Sequence, residues 1–145
     1  MEKLSVIVPC FNEQETLQDY YDAISKVRET LLGKECELQV ILVDDGSKDG
    51  TLEKMKELSG QCSWIRYISF TRNFGKEAAI FAGLAQASGD VVAVMDCDLQ
   101  HPPQTLIEMY RLWQNGYEVI EGIKADRGKE GFLHKECAGF FYDIM

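Results

Sequence analysis

The chain has 145 residues, 46% of them apolar, with 15 basic against 24 acidic side chains and a formal charge of −9. That length suits one domain with a sizeable core. The negative charge argues against a nucleic-acid-binding surface as the main function, yet leaves room for a phosphate ligand held through a bound cation, which inverts the local field.

The five cysteines, Cys10, Cys36, Cys62, Cys97 and Cys137, form an odd, scattered set without a C-x-x-C spacing. They read as reduced thiols of a cytosolic protein. Met1-Glu2-Lys3 runs straight into an apolar strand with no signal peptide, and no apolar run approaches the ~20 residues of a membrane span.

Leu4 to Pro9 reads as a first strand, followed by Cys10-Phe11-Asn12-Glu13. Asn12 and Glu15 have capping-box spacing, and a helix is expected from about Glu13 to Leu32, stopped by Gly33. Its core stripe holds Leu17, Tyr20, Tyr21, Ile24, Val27 and Leu31, which makes the tyrosine pair core rather than a ligand platform. Strand two, Leu38 to Val43, ends in Asp44-Asp45-Gly46-Ser47; Asp49 can cap a helix from about Gly50 to Leu58. Turn and cap chemistry explains one acid of the pair comfortably but not both. An acid at the end of strand two often receives a ribose or base edge in nucleotide-binding α/β folds.

Strand three, Ile65 to Phe70, ends in Thr71-Arg72-Asn73-Phe74-Gly75-Lys76. Arg72 and Lys76 are cations suited to phosphates or a base edge. An Ala- and Gly-rich helix follows to about Ala87. Strand four is the continuous apolar run Val91 to Met95, a strand buried on both faces. It stops at Asp96-Cys97-Asp98, and Pro102 and Pro103 suit the start of a helix reaching about Asn115. An Asp-x-Asp alone is a weak signal; its place at a buried strand's end, with acids at another strand's end, gives it weight. Cys97 reads as a small side chain between two ligands rather than a nucleophile. Strand five is Glu118 to Lys124, then a charged loop to Gly131 that reads as solvated or as a lid over a phosphate. A last helix, Leu133 to Met145, reads as cut while its apolar face (Phe140, Phe141, Ile144) is still running.

Alternating strands and helices with short connections give an α/β fold, a mostly parallel sheet with helices on both faces. The loops after strands one, two and four then share one edge. Two close carboxylates there repel, and a hard divalent ion, Mg²⁺ or Mn²⁺, that also grips a ligand's phosphates would offset the charge. No G-x-G-x-x-G follows strand one and no G-x-x-x-x-G-K-[ST] occurs, which disfavours dinucleotide dehydrogenases and P-loop enzymes. A receiver-type signalling domain needs an acid after strand three, where Ser69-Phe70-Thr71-Arg72 stands instead. A nucleotidyltransferase would want a Gly-rich basic loop after strand one.

Four motifs taken together resemble glycosyltransferase family 2, with the GT-A fold, and within it the polyprenyl- or dolichyl-phosphate sugar transferases. They are Val6-Ile7-Val8-Pro9-Cys10-Phe11-Asn12-Glu13, Val43-Asp44-Asp45-Gly46-Ser47, Arg72-Asn73-Phe74-Gly75-Lys76, and Asp96-Cys97-Asp98-Leu99-Gln100-His101-Pro102-Pro103. The resemblance implies that residues 1–145 are the nucleotide-sugar-binding part of a truncated GT-A domain. Pro9, Phe11 and Glu13 would line base and ribose, and Asp44 or Asp45 would accept a hydrogen bond from the base. Arg72 would lie near base or phosphate. Asp96 would contact ribose or metal-bound water, Asp98 would ligate the metal, and Gln100 would approach the sugar or diphosphate. Lys124 and Arg127 would meet phosphates, although relatives often carry Arg where Lys124 stands.

The implied reaction is inverting sugar transfer from a nucleoside-diphosphate sugar to a polyprenyl phosphate, or to a saccharide hydroxyl. A fragment that binds the donor without activity is the alternative. The resemblance further implies that residues beyond 145 supply membrane-associated helices and a strand lying between strands four and five. Without that strand the sheet has a gap that self-association into a homo-oligomer would cover.

Overall fold

The computed structural model describes residues 1–99 and 102–116, and the backbone of 119–123 and 137–143. The chain alternates β1 (Glu2–Cys10), α1 (Leu17–Gly33), β2 (Cys36–Asp44), α2 (Thr51–Gln61), β3 (Ile65–Ser69), α3 (Lys76–Gln86), β4 (Val91–Met95), α4 (Thr105–Gln114), β5 (Val119–Ile123) and β6 (Cys137–Asp143). The strands form one sheet in the order β3-β2-β1-β4-β6-β5. β1 pairs in parallel with β2 and β4, and β2 with β3, while β6 runs antiparallel between β4 and β5.

Side-chain alternation along the strands separates two cores. Leu4, Val6 and Val8 of β1, Leu38, Val40 and Leu42 of β2, and Val91, Ala93 and Met95 of β4 face one side, under α1, α2 and α4. Ile7, Ile41, Val43, Val92 and Val94 face the other, under Ala79 and Ile80 of α3. Chain direction explains why α3 stands apart. α1 and α2 carry the chain from β1 outward to β3, and α3 carries it back past β1 to β4. A right-handed crossover in the reverse direction lies on the opposite face. Gly83 lets α3 settle on the sheet, since a β-carbon there would come within 2.4 Å of Ile7 Cγ2. The reversal also opens a crevice at the carboxyl ends of β1 and β4, the place where ligands bind in open α/β sheets.

The first four strands and four helices fall where periodicity puts them, apart from one helix start. α1 begins at Leu17, not Glu13, and Asn12 does not cap it: Asn12 sits at φ 54°. Its side-chain oxygen accepts instead from Lys48 N–H at 2.9 Å. Asn tolerates that left-handed backbone, and the bond across to the next loop decides the conformation. Tyr20 is 2% exposed and Tyr21 stacks against Trp64, so the tyrosine pair is packing.

The C-terminal expectation is corrected. Residues 137–143 form β6, not a helix, and β6 fills the place between β4 and β5 that a strand beyond residue 145 was expected to take. Phe140, Phe141 and Ile144 fit a helical stripe, but Cys137–Asp143 is also rich in aromatic residues that suit strands. Two strands flanking an empty lane offer two rows of unpaired backbone groups, and pairing with both overrides a local pattern that fits either form. Val94 pairs with Phe140 and Ala93 with Phe141. The gap that self-association would have covered is therefore filled within the chain.

Candidate active site

The loops after β1, β2 and β3 are tied to one another by bonds from backbone amides. β1 and β2 extend their ladder when Asp45 N–H donates to Cys10 O at 2.9 Å; Phe70 N–H does the same to Asp44 O at 2.9 Å. Asn12 N–H donates to Ser47 Oγ at 2.9 Å and Glu13 N–H to Thr51 Oγ1 at 2.9 Å. Gln14 Oε1 accepts from Gly50 N–H at 2.9 Å. Each of these amides precedes a helix or lies between elements, where no periodic partner exists.

Both acids at the end of β2 are buried, Asp44 at 2% and Asp45 at 5% exposure. Asp44 Oδ1 accepts from Ser47 N–H at 3.0 Å, closing the turn over Gly46. Asp45 reaches the loop after β3. Its Oδ1 accepts from Phe74 N–H at 2.8 Å, and both its oxygens lie 3.2 Å from Gly75 N. Asn73 Nδ2 donates to Asp45 O at 3.2 Å. Asp49 accepts from Thr51 N–H at 2.9 Å from just ahead of α2, but the N-cap is Gly50, so the expected cap at Asp49 is an Asx-type turn instead. Desolvation beside the turn would raise the carboxyl of this exposed residue, but the bonds from Thr51 and Gln14 outweigh that and hold it below the usual range.

Arg72 lies over the Phe74 ring with its guanidinium carbon 4.8 Å from the centroid, and Phe74 meets Phe70 edge-on at 5.5 Å. Lys76, the first residue of α3, places its Nζ 2.8 Å from Asp96 Oδ1 at the end of β4. Pro9 lies near the end of β1 and Phe11 and Glu13 in the loop after it; Pro9 and Glu13 are half-buried and Phe11 is exposed. Asp98 is half-buried in the turn after β4. Gln100, Lys124 and Arg127 lie outside the described residues.

Cys97 lies between the two aspartates with its side chain turned into the core at 1% exposure. Continuing the β1–β4 register from Ile7 opposite Val94 brings Cys10 opposite Cys97. The hydrogen bond with Cys97 and then burial raise the Cys10 thiol well above its ordinary value. Thr16 Oγ1 approaches Cys97 Sγ at 3.6 Å and donates to Glu13 Oε1 at 2.8 Å, fixing Glu13 against the turn. Asp96 and Asp98, on either side of the inward Cys97, are both half-buried in the turn beyond β4.

Among the described residues, no three His, Cys, Asp or Glu side chains are grouped to hold a metal ion by themselves. Two carboxylates two residues apart fit a hard divalent ion that takes one or two protein oxygens and completes its shell with phosphate and water. They do not fit an ion caged wholly by protein. Reasoning from sequence found these residues but missed Ser47, Thr51 and Asn73, whose work is to hold loops together. Ser47 and Asn73 stand inside the quoted motifs, and small polar residues are common in turns, but neither signal names their partners.

The parallel β1–β4 layout and the reversal at β1 define an open, doubly wound α/β domain. Solved structures share it: a mannosyltransferase from Pyrobaculum calidifontis in complex with GDP-Man and Mn²⁺ superposes with a TM-score of 0.72 at 24% identity, over 88% of this chain and 37% of that one. S. aureus TarS in complex with UDP superposes with a TM-score of 0.65 at 21% identity, over 89% of this chain and 38% of that one. The fold is thus that of GT-A glycosyltransferases, as the motifs implied. The model of glycosyl transferase family 2 matches residues 5–140, and the chain belongs to that family.

Similar relatives include the bactoprenol glucosyl transferase of Shigella phage SfV, 37% identical over 98% of this chain and 45% of that protein. The Bacillus subtilis glycosyltransferase YkcC is 36% identical over 97% of this chain and 43% of that protein. The chain spans just under half the length of these relatives. Among the described residues no helix is long and apolar enough to cross a membrane.

Proposed function

We propose that this chain is the donor-binding part of a metal-dependent, inverting glycosyltransferase that moves a sugar from a nucleoside-diphosphate sugar to a polyprenyl phosphate. The observation that carries the reading is the position of Asp96 and Asp98, at the end of β4 beside the crevice where the chain reverses. Support comes from relatives named for bactoprenol glucosyl transfer and from a neighbouring fold that holds GDP-Man with Mn²⁺. The acceptor's lipid would bring the whole protein to a membrane's cytoplasmic face.

In this reading Asp98, supported by Asp96, holds Mg²⁺ or Mn²⁺, which when bound neutralises charge on the donor's diphosphate. Phe11 and Pro9 flank the base, Glu13 and Asp44 lie at the ribose and base edges, and Arg72 and Lys76 face phosphate. Gln100, Lys124 and Arg127 belong to the same proposal, on the sugar and phosphate side. The acceptor oxygen forms its bond to the anomeric carbon as the bond to the diphosphate oxygen breaks. The electron pair leaves with the nucleoside diphosphate. A phosphate acceptor is largely ionised near neutrality, with its second pKa at ~6, so it needs no carboxylate base.

A thermal-shift panel of UDP, GDP and their sugars, with and without Mn²⁺, tests the donor reading, since a ligand that binds only the folded state raises its melting temperature. Metal-dependent stabilisation by one nucleotide is expected, and Asp98→Ala should abolish it. Calorimetry showing that Asp98→Ala binds donor and metal as the parent does would overturn the assignment. Transfer to polyprenyl phosphate rather than to a saccharide is decided by radiolabelled donor and both acceptors with the full-length protein.

A further inference from the structure

Thr16 holds the N-cap position of α1, yet its hydroxyl makes no cap bond. A capping residue normally has extended backbone, and its side chain accepts from an amide in the first turn. Thr16 has φ −98° and ψ −16°, already close to helical, which turns the hydroxyl away from those amides. It points back along the chain instead. Oγ1 lies 2.8 Å from Glu13 Oε1, 3.2 Å from Glu13 O and 3.6 Å from Cys97 Sγ. A hydroxyl carries one proton, and the carboxylate oxygen, the nearest acceptor, takes it. Oγ1 then accepts from the Cys97 thiol.

The backbone of Glu13 is fixed as well. Its N–H donates to Thr51 Oγ1 at 2.9 Å, and its carbonyl accepts from Thr16 N–H and Leu17 N–H at 3.1 Å. Thr51 Oγ1 in turn donates to Asp49. With the main chain held on both sides, the side-chain torsions are the freedom left to Glu13, and the Thr16 hydroxyl removes it. A side chain ordered before its ligand arrives spares the ligand that ordering cost. Glu13 is half-buried in the loop after β1, and Cys97 is buried between Asp96 and Asp98 after β4. Thr16 touches both.

We propose that Thr16 is a positioning residue for donor binding: its hydroxyl holds the Glu13 carboxylate in the orientation that meets the nucleoside, braced from behind by Cys97. This rests on the donor-binding reading for what Glu13 meets, and on the hydrogen bonds alone for how Glu13 is held. Thr16 itself need not touch the ligand. Its hydroxyl does little for α1, because it makes no cap bond there.

The test uses the 145-residue chain with Thr16→Val, which keeps the branched shape without the hydroxyl, and Thr16→Ser, which keeps the hydroxyl. A carbodiimide with an added amine labels accessible carboxylates. Labelling of Glu13, followed by peptide mass spectrometry, should speed up severalfold in Thr16→Val and keep the parent's rate in Thr16→Ser. Calorimetry at saturating Mn²⁺ should show the nucleoside diphosphate that the parent binds, UDP or GDP, held about three- to tenfold more weakly by Thr16→Val, the worth of about one hydrogen bond. Thr16→Ser should stay within about twofold of the parent. In a Glu13→Ala background, Thr16→Val should change affinity by less than about twofold, since residues that act through one another are not additive. The urea midpoint of Thr16→Val should stay near the parent's, as no cap is lost.

Equal labelling in the parent and Thr16→Val would overturn the proposal, as would the same loss of affinity with and without the Glu13 side chain. So would a Thr16→Ser chain that binds like Thr16→Val. A large drop in the urea midpoint with affinity unchanged would make Thr16 a residue of the helix start only, and would overturn it as well. Should Thr16→Val not fold, Thr16→Ala takes its place with the same readouts. If the parent binds neither nucleotide, the donor reading fails, while labelling still decides whether Thr16 holds Glu13.

Discussion

The Lys76 ammonium stands 2.8 Å from Asp96 Oδ1, so the first turn of α3 and the end of β4 meet across the crevice. Asp96 therefore has a cation from the chain itself. Both side chains are well exposed, 58% for Lys76 and 38% for Asp96, so water screens the pair and it adds little to folding. Its consequence lies in ion binding, since a metal and Lys76 compete for one carboxylate.

Replacing Lys76 should separate those two effects. Lys76→Met is expected to change the unfolding free energy by less than about 1 kcal/mol in urea, the range for exposed pairs. It should tighten Mn²⁺ binding to the nucleotide-free chain by a few fold, because Asp96 loses its competitor, and weaken binding of the nucleoside diphosphate, which loses a phosphate partner. Calorimetric titrations of Mn²⁺ alone, and of nucleotide at saturating Mn²⁺, measure both. Weaker Mn²⁺ binding in the variant would mean that Lys76 orders Asp96 for the ion rather than opposing it.

Gly46 gives a prediction about the scaffold. It combines φ 74° with a backbone contact that any β-carbon would violate, 2.3 Å from Arg72 C. Gly46→Ala should cost both left-handed strain and displacement of the 72–76 loop, together about 2–4 kcal/mol. Gly116 has φ 104° with open space around it, so Gly116→Ala isolates the strain, expected at about 1–2 kcal/mol. Chemical denaturation of the two variants checks the difference. Equal losses would mean that the loop yields to Gly46→Ala without cost.

Much of this architecture was legible because it is periodic. Val91 to Met95 announces a doubly buried strand, and the apolar stripe of α1 is plain from Leu17 to Leu31. Helix and strand alternation then forces the loops of β1, β2 and β4 to one edge. What escaped was contact between residues far apart in the chain. Asn12 looked like a helix cap because capping and loop-bridging use the same amide side chain, and only the neighbouring loop at Ser47 and Lys48 tells them apart. Asp44 and Asp45 are adjacent in sequence, yet strand alternation sends one to its own turn and the other to a loop some thirty residues on. β6 escaped for another reason: its residues fit two periods, and the lane between β4 and β5 made the choice.

The amino edge of the sheet carries a pH prediction. Cys36 is fully buried, and burial pushes its thiol from 9.0 up to about 11. Beside it, burial and then the hydrogen bond that Tyr110 donates to Glu2 Oε1 at 2.5 Å raise the Tyr110 hydroxyl well above its ordinary value. Both are neutral acids whose folded-state pKa is raised, so the folded chain keeps protons that the unfolded chain sheds. Their contribution is complete well below pH 9, where the unfolded thiol is still protonated, and is lost as pH rises through 9 toward 11. Tyr110 adds to the loss above about pH 10. Each group steepens the decline by at most about 1.4 kcal/mol per pH unit. Cys36→Ala should lower stability at about pH 8 through the lost packing, yet flatten the decline between about pH 9 and 10. Urea unfolding across that range decides it. Parallel curves for parent and variant would mean that Cys36 ionises as readily folded as unfolded.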